Sequence, residues 1–271
     1  MQTIERVWEM ILGAGVRRRT LPEDVAYTEP SWAEQLLRVF RPLCPGDSGW
    51  VIGQLGQSLD GRIATASGAS RYINGDDGLT HLHRLRAVAD AVVVGAGTAL
   101  EDNPRLTVRR VAGAQPVRVV VDRRDRLPVD HHLLADEGAP TLHLVAGDAI
   151  PERDRPCPEA GVTRVPCLDP ECETIDPDRV LAVLARFGLT RVFVEGGGRT
   201  VSAFLTAGRL DRLHVMVAPM IIGSGYPAFT LPAVDRLQDA IWPEAQVVNL
   251  GSDVLFDLDL RRSGAAHRVQ E

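Results

Sequence analysis

The sequence predicts an α/β protein: a mostly parallel central sheet flanked by helices and finished by an antiparallel C-terminal hairpin. Three observations carry this. From Trp50 onward, short Val-rich runs of 4–7 apolar residues recur, and continuous runs of that length suit strands buried on both faces of a parallel sheet. Amphipathic stretches of helical period alternate with them. The last two apolar runs are separated only by Gly251-Ser252, which is hairpin spacing and so an antiparallel edge.

Taken in order, residues 1–49 stand apart. IERVWEMIL and SWAEQLLRVF have helical spacing, with RRRTLPEDVAYTEP between them and RPLCPGDSG closing the segment. They predict two short helices on the outside of the main unit; a lid or an oligomerisation arm is the alternative. The strand candidates are WVIGQLG, DAVVVGAG, VRVVVD, TLHLVAG, TRVPC, RVFVEGGG, LHVMVAP and QVVNLGSDVLFDLDL. The helical candidates are DDGLTHLHRLRAVA, DPDRVLAVLARFG and GRTVSAFLTAGR. Pro177 near the start of the second and Gly188 just past its end follow the usual asymmetry of helix termini. Residues 147–178 are Pro-rich and acidic, which reads as a surface connection around TRVPC.

Composition narrows the classes. The 271 residues are 45% hydrophobic but only 5% aromatic, so the core rests on Val, Leu, Ile and Ala. A formal charge of −6 argues against a general nucleic-acid or anionic-membrane surface. A few local Arg can still hold a phosphate. No apolar run reaches the ~20 residues of a membrane span, and the N-terminus lacks the order of a secretory signal. Cys44, Cys157, Cys167 and Cys172 form no C-x-x-C pair, so reduced structural thiols in a cytoplasmic enzyme are the expectation.

Polar clusters follow apolar strands at their carboxyl ends, where open α/β sheets bind ligands. The first, QSLDGRIATASGASRYING over residues 57–75, reads as a long polar loop, and long loops tend to be functional or disordered. The second, VVVGAGTALEDNPRLTVRR over 92–110, holds a partial G-x-G-x-x-G, then Thr98 and Asp102; Pro104 ends any helix there. In the third, Glu195 ends a strand and Gly196, Gly197 and Gly198 lead into a helix. Glycines let N–H groups approach a ligand and a helix N-terminus favours phosphate; a tight turn without a ligand is the alternative. A carboxylate at that strand end needs exposure or a partner. Arg123, Arg124 and Arg126 follow VRVVVD, either to hold a 2′-phosphate or as a surface charge run. His81 and His83 lie two apart and cannot share a helix face, which disfavours a metal.

Together these clusters resemble the reductase domain of riboflavin biosynthesis, which has a dihydrofolate-reductase-like fold. The motifs are SLDGRIA at 58–64, GAS at 68–70, VVVGAGTALEDNPRLTVR at 92–109, VEGGGRTVSAFLTAGRLD at 194–211 and VAPMIIGSG at 217–225, in family order. The resemblance implies a reductase domain over 50–262, an N-terminal helical extension over 1–49 and a tail over 263–271. It implies NADPH-dependent reduction of the ribosyl group of 5-amino-6-(5-phosphoribosylamino)uracil to ribityl, by a homodimer. NADPH would be held by Gly56, Tyr72, Thr98, Asp102, Arg123, Gly197, Gly198, Arg199 and Thr200, and the substrate by Ser70, Arg86, Leu106, Arg109 and Glu195. Asp102 and Glu195 would be catalytic, with Arg86 and Arg109 on the ribose phosphate and no metal. Two departures qualify it: Gln54 stands where the family often has Lys, and the zinc signature of the fused deaminase is missing. A pterin, dihydrofolate or specialised-metabolite pyrimidine is therefore an alternative substrate, and a non-catalytic nucleotide binder a third reading.

Overall fold

A computed structural model describes residues 4–16, 18–21, 30–44, 46–70, 73–148, 159–172 and 174–261. In chain order the elements are α1 (Ile4–Val16), α2 (Pro30–Phe40), β1 (Trp50–Ser58), β2 (Arg62–Thr65), α3 (Asp76–Val88), β3 (Ala91–Gly95) and α4 (Ala96–Asp102). Then come β4 (Val117–Val121), α5 (His132–Ala135), β5 (Thr141–Ala146), β6 (Val162–Leu168), α6 (Pro177–Arg186), β7 (Arg191–Glu195) and α7 (Gly198–Thr206). The chain continues through β8 (Arg212–Ala218), β9 (Gly225–Pro227), β10 (Glu244–Leu250) and β11 (Asp253–Asp259).

Nine of these strands form one sheet in the order β10-β11-β8-β1-β7-β3-β4-β5-β6. From β8 to β6 every neighbour is parallel. β11 joins β8 antiparallel, and β10 folds back on β11 through the expected turn at Gly251, whose φ is +66°. Both sheet faces are covered, which is why the central runs are apolar throughout. Ile52, Val92, Val94, Phe193 and Met216 pack with Leu85 of α3 and with Val7, Trp8, Ile11, Leu37 and Phe40 of α1 and α2. On the other face Leu55, Val93, Leu142, Val192 and Val194 meet Val180, Val183 and Leu184 of α6 and Val201 and Phe204 of α7. The N-terminal helices thus contribute to one of the two main cores. Trp8 donates its indole N–H to the Ala112 carbonyl at 2.9 Å, and Phe40 stacks edge-on against His81.

Local chemistry fixes the helix ends. Asp176 caps α6 through Oδ1 to the Arg179 N–H, Pro177 opens the helix, and Gly188 ends it at φ +71°. α3 begins with Asp76 and Asp77, favourable at the positive end of the helix dipole. α4, which sequence spacing leaves unassigned, runs to Asp102; Asn103 turns left-handed at φ +42° and ends it before Pro104. The 57–75 stretch is not all loop. Gln57 and Ser58 complete β1, and Arg62–Thr65 form β2, which pairs with β9 as a separate two-stranded ribbon. Asp60 ties that ribbon together: it accepts from Ser58 Oγ at 2.6 Å and from the Ile222 and Gly223 N–H groups at 3.1 and 2.6 Å. Those bonds, led by Ser58, pull its carboxyl down to about 2.

Candidate active site

The carboxyl ends of β1, β7, β3 and β4 open into a cleft of about 1830 Å³. This is the crevice side of the sheet, where the chain direction of successive crossovers diverges. Gly196 and Gly197 leave β7 in consecutive left-handed conformations, φ +70° and +64°, which a side chain would disfavour. A Cβ on Gly197 would stand 2.4 Å from Thr98 Oγ1. This close approach brings the second and third polar clusters face to face. Among the described residues no side chain caps α7, so its first N–H groups are left for a ligand at the cleft.

Beyond β3 the cradle continues to the turn after β4. Asp122, fully buried, accepts from the Arg126 and Leu127 N–H groups at 2.6 and 3.0 Å, and His143 Nε2 lies 3.3 Å away. Burial alone raises its carboxyl, but the His143 and backbone hydrogen bonds outweigh it and hold the group below the usual carboxylate range. The turn so fixed carries Arg123, Arg124 and Arg126 into the cleft.

The opposite half is acidic and hydroxylic. Ser70 Oγ donates to Asp102 Oδ1 at 3.2 Å, joining the first and second clusters. Glu195 lines the cleft and is gripped by Arg86 of α3, with Nε to Oε2 at 2.7 Å and NH2 to Oε1 at 2.5 Å. The remaining Arg86 arm donates to the Thr107 carbonyl at 2.9 Å. The carboxylate at the strand end therefore has its partner, and the fork-on-fork geometry fixes its direction. Arg109 is not among the residues that line the cleft; it is exposed, with no acceptor for its guanidinium among the described residues, while its N–H donates to His83 Nδ1 at 3.0 Å. Partial burial, then Arg86 and Arg105, lower its affinity for its proton, the field an anion would relieve.

Of the residues expected from sequence, Gly56, Ser70, Thr98, Asp102, Arg123, Glu195, Gly197, Gly198, Arg199 and Thr200 all line this cleft. Tyr72 falls outside the described residues. Arg86 is a correction: 5% exposed and engaged on all arms, it orients Glu195 and is not open to a phosphate. Leu106 packs its side chain in the core at φ +54°, so only its main chain could meet a ligand. The spacing of the sequence did not reveal Asp122 or Asn74. Asp122 carried a weak signal as the Asp that ends VRVVVD beside the Arg cluster. His81 and His83 are both buried; burial, then His214 and Arg84, push His81 well below its ordinary value. Cys44, Cys167 and Cys172 are free thiols, and Cys157 is outside the described residues.

A doubly covered, mostly parallel sheet with a glycine cradle across its carboxyl edge and arginines at one end suits a dinucleotide, and relatives of this chain are named as reductases. The chain belongs to the RibD C-terminal domain family, whose model matches residues 49–256. It is 38% identical over 219 residues to the 2,5-diamino-6-ribosylamino-4(3H)-pyrimidinone 5′-phosphate reductase of Methanothermobacter thermautotrophicus, covering 78% of this chain and 98% of that protein. It is 34% identical to the riboflavin biosynthesis protein RibD of Mycobacterium tuberculosis, spanning 54% of its length. Acinetobacter baumannii RibD superposes with a TM-score of 0.64 at 26% identity, over 84% of this chain and 62% of that one.

Proposed function

We propose that this chain is the NADPH-dependent reductase that converts the ribosyl group of 5-amino-6-(5-phosphoribosylamino)uracil to ribityl in riboflavin biosynthesis. The observation that carries it is the pairing inside one cleft of a glycine-and-arginine cradle with the Arg86-held Glu195 carboxylate. The cradle fits the cofactor physically. Gly197 has no room for a Cβ, the uncapped start of α7 suits the pyrophosphate, and Arg123, Arg124 and Arg126 suit a 2′-phosphate. When bound, the nicotinamide supplies a hydride to C1′ of the opened sugar imine, with a proton added at the ring-side nitrogen. Glu195, its direction set by Arg86, retains lone pairs to accept from the substrate's hydroxyls. Asp102, exposed and bonded to Ser70, is the carboxyl group placed to exchange the proton with water. Arg109 takes the phosphate.

A second reading places the same reduction one step earlier, on the 2,5-diamino-pyrimidinone. The name of the Methanothermobacter relative favours it. Incubating the protein with NADPH and each pyrimidine phosphate, or dihydrofolate, and following the absorbance of the reduced cofactor separates these. Oxidation with dihydrofolate alone refutes both pyrimidine readings. Glu195→Gln should raise KM for the pyrimidine about tenfold or more while leaving NADPH binding within about twofold, a loss typical of one charged hydrogen bond.

The homodimer expected from the resemblance has support in an uncovered apolar area. Val247, which pairs with Phe256, is 62% exposed, and Leu237 and Trp242 are also exposed. Sedimentation of the full chain tests it.

A further inference from the structure

Two amide side chains in the cleft have no partner among the described residues. Gln54 of β1 is 4% exposed with Oε1 buried and unbonded, and the buried Nδ2 of Asn74, just before α3, is likewise unbonded. Leaving such an atom buried and unpaired is costly, since it has given up its hydrogen bonds to water for nothing. The carboxylate and imidazole beside Gln54 have charged or ring partners within reach, although His214 Nε2 makes no hydrogen bond among the described residues. In register beside it, Glu195 on β7 is held by Arg86, and His214 on β8 by His81 at 2.9 Å, with Asp257 3.2 Å from its other nitrogen.

The two amides lie side by side. Alternation along β1 puts Gln54 and Gly56 on one face, about 6.6 Å apart. Asn74 rests on Gly56, its Oδ1 only 1.8 Å from where a Cβ would be. Gly56 is thus the space that lets Asn74 approach the strand. Met216, in register with Gly56, and Leu79 and Leu82 of α3 line the same cleft. A flat slot results, with apolar walls, one acceptor and one donor.

Resting on the reductase reading above, we propose that Gln54 and Asn74 read the heterocycle of the substrate. Gln54 Oε1 accepts from the ring N3–H and Asn74 Nδ2 donates to the adjacent C4 carbonyl. The ligand class is a neutral six-membered cyclic amide, a pyrimidin-4-one. Because that edge is common to 2-oxo and 2-amino rings, the pair does not choose between the two pyrimidine substrates. The choice must be made elsewhere on the ring.

The test uses the full chain, with Gln54→Met and Asn74→Leu, and measures calorimetric Kd and steady-state KM for both pyrimidine phosphates. Each variant should weaken binding at least tenfold, with NADPH affinity within twofold, which also shows that the fold is intact. Methylating N3 of the substrate should cost the native protein tenfold and Gln54→Met little more. Unchanged affinity in both variants, or the same methylation penalty in Gln54→Met, overturns the proposal. Pyrimidine binding that depends on both amides without any turnover would sink the reductase reading and leave this one standing. Turnover indifferent to both substitutions would do the reverse, and no pyrimidine binding by the native chain would end both.

Discussion

Replacing Arg86 by Met removes two bonds to the Glu195 carboxylate and one to the Thr107 carbonyl while keeping an unbranched apolar stem. Arg86 is buried and Glu195 largely so, with side-chain exposures of 6% and 13%. Stranding one member of such a pair costs about 3–5 kcal/mol. At about 2 °C per kcal/mol for a chain of this size, the melting temperature should fall by about 6–10 °C. Adding Glu195→Met removes the stranded charge, and a matched apolar pair in place of a buried ion pair is often near neutral. The double variant should therefore recover at least half of the lost stability, although it remains inactive. Calorimetry on the four proteins gives an interaction energy of at least about 3 kcal/mol if Arg86 acts as described. Losses that add to within about 0.5 kcal/mol, or a drop below about 2 °C for Arg86→Met, would refute the reasoning.

The remaining predictions concern acid, the cradle and its arginine turn. Burial, then Arg86, Arg109 and Arg110, lower the His83 pKa from 6.5 to about 4, so its neutral form belongs to the fold. Its stabilisation is complete above pH 6.5 and is lost as pH falls toward 4, about 3 kcal/mol over that window; flat urea midpoints from pH 7 to 4 would contradict it. Asp122→Asn should loosen the turn carrying Arg123, Arg124 and Arg126, narrowing the preference for NADPH over NADH about fivefold or more by titration. An unchanged ratio would detach that turn from the 2′-phosphate. Gly197→Ala puts a methyl against Thr98 at φ +64° and should cost about 1–3 kcal/mol of stability together with tenfold in cofactor affinity. Native affinity in that variant would mean that the cradle is built differently.

What could be read from residue order is what local pattern encodes. Val92, Val93 and Val94 must be buried on both faces in any parallel sheet, and Asp176-Pro177 and Gly188 mark the two ends of α6 without reference to the rest of the chain. β2 and β9 were invisible because each is three or four residues long and exists only by pairing with the other, Arg62 with Pro227 and Thr65 with Gly225. α4 was unassigned because AGTALED is a turn or two with glycine in it. At the site, glycine triplets and strand-end carboxylates announced themselves. The misreading of Arg86 has one cause. A guanidinium looks available in a sequence, and only the fold brings Glu195, 109 residues away, within 2.5 Å of it. Asp122 was hidden for the same reason, since the bonds that make it a turn-former depend on its burial.

The valine-rich strands raise a problem of identity that the polar groups answer. One apolar run can pair with another at several offsets at similar cost, since both faces of each are greasy and a slip by one residue exposes nothing. The row Glu195, Gln54, His214 and Asp257, matched across four adjacent strands, breaks that degeneracy. Shifted by one, each of these side chains would swing into the opposite oily layer, away from Arg86 and His81. The polar side chains of this row therefore mark one register among several that hydrocarbon alone would allow. A variant that bleaches this row to hydrocarbon risks less a loose protein than a well-packed, wrongly threaded one.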